Sequence, residues 1–215
     1  YISTLPEWTQ QLIQSTQEEF HENQAALHEF LTSETALTFV TDGGATEGHG
    51  YFGWVIANAT HILWKGKGKV LGNPHLMESL RTKSVGMLSL TLFLLHYCEY
   101  HGIELANPNL CHYCDNSTVV KRMKWYKTRD ICTPNSHLSP DDDVQVQIED
   151  TMIQLKTEFI MEWVKGHQTP KEGDELPWEA FSTLKQTNLQ MKPETKQRGK
   201  RIISTNTQQA GSCYI

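Results

Sequence analysis

This 215-residue chain has no long uninterrupted apolar run. Its most hydrophobic stretch, Leu88 to Leu95, is broken by Ser89 and Thr91 and is far too short to span a bilayer. No charged-then-apolar segment of the kind a secretory signal needs opens it. It begins with Tyr1 rather than Met, which reads as a fragment from which a targeting segment could have been lost. Cysteine is scarce: five residues, an odd number, do not make a disulfide framework, so a reducing intracellular compartment is expected. Positive charge is in deficit, with 19 Lys and Arg against 25 Asp and Glu and a net charge of −6, which taken as a total disfavours a polyanionic partner. Internal repeats are absent. With 38% hydrophobic and 20% charged residues, the composition supports one buried core and excludes wholesale disorder.

The cations are unevenly placed. Lys65, Lys67 and Lys69 alternate with Gly66 and Gly68, so on a strand all three share one face. They can protect an edge strand from unwanted pairing or contact a polyanion. Lys121, Arg122, Lys124, Lys127 and Arg129 form a second group, and residues 192–201 carry five cations against Glu194.

Periodicity divides the chain. Trp8, Leu12, Ile13, Phe20, Leu27, Phe30 and Leu31 recur at helical spacing among Gln and Glu, predicting a helical N-terminal extension over 1–35. The runs 36–42, 51–57 and 61–70 are rich in β-formers and separated by short breakers, which predicts an antiparallel meander. Gly43-Gly44 reads as a breaker ending the first strand, or as a place where a nucleic-acid backbone comes close. Leu76, Leu80, Met87, Leu88, Leu92, Leu95 and Cys98 can line a helix that stops near Gly102. A strand over 110–115, a helix from Asn116, a helix over 141–156 opened by three aspartates, a strand over 157–165 and a last helix over 177–191 follow. The order predicts an α/β domain over 36–191, a mixed five-stranded sheet with helices on both faces, and a basic, polar tail over 192–215.

Chemistry concentrates at two strand ends. Asp42 closes the first strand and Asp115 the fourth. If these strands are neighbours, both carboxylates project from one end of the sheet, where ligands of α/β sheets gather. Such a pair suits Mg²⁺ or Mn²⁺ and two-metal phosphodiester hydrolysis; equally, aspartates terminate strands, and Asp115 could cap the following helix. Cys111-His112-Tyr113-Cys114 contains a Cys-x-x-Cys, but on a strand the two thiols face opposite ways, so buried structural thiols are expected rather than zinc. Trp54, Trp64, Trp125 and Trp163 are expected in the core rather than as platforms for bases.

The ordered runs TDGGA (41–45), YFGWVI (51–56), SLRTKSVGMLS (79–89), CDN (114–116) and WVKGHQ (163–168) resemble type 1 ribonuclease H, and more closely the ribonuclease H domain of retrotransposon reverse-transcriptase polyproteins. The resemblance covers residues 36–190. It implies a five-stranded mixed sheet, metal-dependent cleavage of RNA in RNA–DNA hybrids, and hybrid or other nucleic acid and neighbouring polyprotein regions as partners. It places Asp42 and Asp115 on two of the family's four acidic positions and His167 on a histidine that helps product leave. Gly43, Gly44, Asn116 and the three β-strand lysines are the candidate nucleic-acid contacts. The second acidic position, in an Arg-x-Glu run, falls on Lys83 of Arg81-Thr82-Lys83, and the fourth on Thr187 or Asn188. Glu78 is five residues before Lys83, about 140° round a helix, and is not expected to substitute; Asp174 and Glu175 are further candidates. Two acids of four, with an ammonium in a third place, imply a catalytically degenerate site. The alternative is a non-catalytic nucleic-acid-binding or scaffolding module of the same fold.

Overall fold

The computed structural model describes residues 1–14, 24–33, 36–58, 62–106, 109–128 and 140–165. Five strands, β1 (Thr38–Thr46), β2 (His49–Ala57), β3 (Ile62–Val70), β4 (Asn109–Cys114) and β5 (Glu158–Trp163), form one sheet in the order β3-β2-β1-β4-β5. The first three pair antiparallel, whereas β4 runs parallel to β1 and β5 parallel to β4. The helices are α1 (Glu7–Gln14), α2 (Gln24–Thr32), α3 (Ser79–His101), α4 (Ser117–Thr128) and α5 (Asp142–Gln154). The expected mixed five-stranded sheet is present. The predicted helix over 177–191 lies outside the described residues.

β1 does not end at Gly43-Gly44. It runs on to Thr46, and the chain turns at Glu47-Gly48, where φ is +52° and +76°. Two consecutive positive φ values match the twist of a tight antiparallel hairpin. Gly43 serves a different purpose from a turn. A Cβ there would lie 2.6 Å from the carbonyl carbon of Thr82, inside the backbone of α3. A Cβ on Gly86, in α3 itself, would already press Phe52 Cβ at 3.2 Å. The missing side chains let the helix seat directly on β1 and β2.

That close seating makes α3 a core helix rather than a helix with one apolar face: every residue from Thr82 to Leu95 is buried. Its polar residues are therefore paired inside. Trp54 Nε1 donates to Ser89 Oγ at 2.9 Å, and Ser89 Oγ donates to the carbonyl of Leu12 at 3.0 Å. The serine that interrupts the apolar run thus joins β2, α3 and α1. Trp54, Trp64 and Phe93 pack with ring centroids 5.1–5.2 Å apart along this seam. The helix ends where expected, at Gly102 (φ +64°), with Ile103 N–H bonded to Cys98 O and Gly102 N–H to Glu99 O, the Schellman pattern that satisfies terminal carbonyls. Leu27 and Leu31 of α2 and Ile13 of α1 are buried in the same cluster as the sheet, so the N-terminal helices share the core. A smaller cluster on the sheet's second face holds Val40, Val55 and Ala57. No described helix is long and apolar enough to cross a membrane.

Gly43→Ala is expected to cost about 1–3 kcal/mol through overpacking against helix backbone. Gly44→Ala, whose Cβ meets nothing within 4 Å, should stay within about 0.5 kcal/mol of wild type. Urea denaturation of both variants checks the contrast.

Candidate active site

β4 stops at Cys114, while β1 continues past its partner residue Thr41. The next residues, Asp42 and Asp115, therefore come together where β4 has ended and a crevice opens beside β1. Into it reaches Lys83, from the first turns of α3, three residues before Gly86 and so on the same helix face. Its ammonium donates to Asp42 Oδ1 at 2.8 Å and also to Asp115 Oδ1. Asp42 Oδ1 additionally accepts the Gly43 N–H at 2.8 Å. The three side chains are 8%, 13% and 9% exposed for Lys83, Asp42 and Asp115.

Burial by itself pulls the Lys83 pKa down. The attraction of Asp42 and hydrogen bonds to both carboxylates outweigh it, and the net shift is upward from 10.5. Lys83 is thus charged at neutral pH, and its contribution to stability is lost only as pH rises through that raised value. The crevice holds two carboxylates and one ammonium, a formal charge of −1. This donor set does not fit a divalent cation. An ammonium about 4 Å from a 2+ ion repels it by roughly 8 kcal/mol at an effective dielectric near 20. One oxygen of each carboxylate is already bonded to Lys83. Among the described residues, no group of three or more His, Cys, Asp or Glu is placed to hold a metal ion.

The remaining expected residues divide clearly. Glu78 precedes α3, is exposed, and engages the helix through its backbone carbonyl, which accepts Thr82 N–H. Gly43 lies buried under α3, where a Cβ would come within 2.6 Å of the Thr82 carbonyl carbon. Gly44 is exposed. Asn116 caps α4, its Oδ1 accepting Thr118 and Val119 N–H, so the cap is Asn116 and not Asp115. Lys65, Lys67 and Lys69 are exposed on one face of β3. His167, Asp174, Glu175, Thr187 and Asn188 lie outside the described residues.

Two features were not read from the sequence. Arg81 grips α5 through Asp143 with both guanidinium nitrogens (3.2 and 3.1 Å) and through Asp141 at 2.9 Å. The hydrogen bond from Arg81 holds the Asp143 carboxyl below its usual range. The aspartate run thus anchors a helix to the base of the crevice as well as complementing a helix dipole. Trp163, expected in the core, is 52% exposed and donates its indole N–H to Asp115 O at 3.2 Å. Trp125 is likewise exposed, whereas Trp54 and Trp64 are buried as expected.

Neither a protein-family model nor a curated protein matches this sequence. Solved structures do resemble it, ribonucleases H among them. The N-terminal ribonuclease H domain of a Mycobacterium tuberculosis protein is 15% identical, with 73% of this chain and 97% of that chain covered and a TM-score of 0.45. Ribonuclease H1 of the halophilic archaeon Halobacterium salinarum is 13% identical, with 72% and 98% covered and a TM-score of 0.46. A compost-derived metagenomic ribonuclease H1, solved with an RNA/DNA hybrid, is 14% identical over 60% of this chain and 86% of that one, with a TM-score of 0.42.

The Cys-His-Tyr-Cys run sits on β4 with alternating exposure. Burial pushes the Cys114 thiol up to about 11 and His112 down to about 3, and neither His112 ring nitrogen has a hydrogen-bond partner among the described residues. Burial likewise holds the Cys98 thiol at about 11. These two cysteines are therefore un-ionised, poor nucleophiles at neutral pH.

Lys83→Met, which strands two buried carboxylates, is expected to destabilise the fold by about 3–5 kcal/mol. The loss should shrink when Asp42 and Asp115 are also changed to Asn, a comparison read by guanidinium denaturation. Between pH 6.5 and about 3 the unfolded chain protonates His112 while the folded chain resists, removing about 1.4 kcal/mol per pH unit in that window. His112→Leu should therefore move the acid-unfolding midpoint, followed by circular dichroism, to lower pH.

Proposed function

We propose that this chain is a ribonuclease H-like domain of a mobile-element reverse-transcriptase polyprotein in which metal-dependent cleavage of the RNA strand of RNA–DNA hybrids is disabled. The observation that carries this reading is Lys83. Its ammonium bridges Asp42 and Asp115 at the place where a carboxylate would have to stand for a divalent cation to bind. Asp42 and Asp115 are the surviving acids, Lys83 and Thr187 the replaced ones, and His167 the former aid to product release. Mg²⁺ or Mn²⁺ would be the cofactor of the ancestral reaction, and no step through it is available to the present donor set. One fixed positive charge suffices to disable such a site.

A second reading keeps the fold without the chemistry: a binding or scaffolding module that meets nucleic acid or another part of its own polyprotein. The exposed row Lys65, Lys67, Lys69 on β3 favours it.

The two readings share a test. Calorimetric titration of Mn²⁺ should give millimolar or absent binding to the wild-type chain, and a labelled RNA–DNA hybrid should remain uncut in the same buffer. Lys83→Glu should bind Mn²⁺ at least about tenfold more tightly, since it exchanges repulsion for attraction beside the ion. Tight wild-type binding with cleavage abolished by Asp42→Asn would sink the disabled-nuclease reading. No gain from Lys83→Glu would mean that Lys83 does not stand in a metal-ligand position.

A further inference from the structure

Among the described residues, the outer strands of the sheet carry opposite charge. β3, at one edge, presents Lys65, Lys67 and Lys69, all exposed. β5, at the other, presents exposed Glu158 and Glu162 with Ile160, 47% exposed, between them. The registers put both sets on the same face. Lys65 pairs with Val55, Val55 with Val40, Val40 with Tyr113, and Tyr113 with Glu162, one row of side chains across the whole sheet. The two edge strands also run in the same direction, because β3 is antiparallel to β2, β2 to β1, and β1, β4 and β5 are mutually parallel.

We propose that this chain associates head to tail with further copies of itself, β5 of one copy adding to β3 of the next as a parallel pair that continues the sheet. With Glu158 opposite Lys65, Ile160 falls opposite the stem of Lys67 and Glu162 opposite Lys69. The four-residue spacing of the glutamates equals that of the outer lysines, and a second copy in the same orientation presents its charged row on the same face. The charges also choose among the possible pairings. Two β3 strands would set lysine against lysine and two β5 strands glutamate against glutamate, and like charges directly opposite destabilise a pair. Lysines on an edge ordinarily repel any incoming strand; here the complement to them is carried by the far edge of the same molecule. A contact between two different patches does not close on itself, so growth is open-ended unless the rotation makes a ring.

Analytical ultracentrifugation of the nuclease-treated 215-residue chain tests this. The average mass should rise with concentration past that of a dimer, and the rise should weaken as salt screens the edge charges. K65E/K69E, with two acidic edges, and E158K/E162K, with two basic edges, should each associate roughly tenfold more weakly or worse. An equimolar mixture of the two should regain assembly, which also shows that both variants are folded. A wild-type chain that stays monomeric, a plateau at dimer, or a mixture that fails to assemble would overturn the proposal. Assembly that vanishes on nuclease treatment would overturn it in favour of a nucleic acid lying on the lysine row. None of these substitutions touches Asp42, Asp115 or Lys83, so failure here leaves the disabled-nuclease reading standing.

Discussion

The contact on which the rest depends is between backbones: Gly43 of β1 against Thr82 and Lys83 of α3, where a Cβ would lie within 2.6–2.8 Å of three helix backbone atoms. Because the helix sits this low, residues that would be solvated on an ordinary amphipathic helix are enclosed. Ser89 is drawn to Trp54 and Leu12, Ser84 lies within 3.5 Å of Gln145, and Arg81 meets the aspartates that open α5. The packing of two further helices, α1 and α5, is arranged around one approach that only glycine permits.

The same approach creates the electrostatic problem of the crevice. Two aspartates at the end of a parallel strand pair, largely withdrawn from water, need a cation. A buried charge without a partner costs several kcal/mol, and hydrogen bonds do not neutralise it. Lys83 supplies the cation from the helix that caused the burial. Desolvation opposes its charge, and the two carboxylates more than restore it. In the crevice Lys83 thus draws both carboxylates into one ion cluster. Trp163 and Asn116 add to this from either side, one holding the Asp115 carbonyl and the other capping the helix that leaves it.

Much of this was legible in the residues. Strand period, helix period and the Gly102 stop led to the observed element order, and the two strand-end aspartates do come side by side. Lys83 could be picked out as a cation in a run where the resemblance implies an acid, because charge is written in the sequence. Steric purpose is not. Gly43-Gly44 has the look of a turn, and nothing local tells that a helix from 40 residues downstream will lie on one glycine and leave the other bare. The exposure of Trp125 and Trp163 escaped for a similar reason, since aromatic content reports what a residue would bury and not whether a partner arrives. The Arg81 grip was hidden in a triplet of aspartates that serves equally well to complement a helix dipole; only the crossing of α3 and α5 distinguishes the two uses.

A diffusible ion at the strand ends would have to be bound anew in every molecule, with an occupancy set by its concentration in the medium and an entropic loss on capture. The counterion in this crevice is attached through its own side chain to the helix it stabilises. It cannot be chelated, exchanged for another species or diluted away, and it folds into place with α3. The partial compensation of Asp42 and Asp115 by Lys83 is thereby carried by the polypeptide itself.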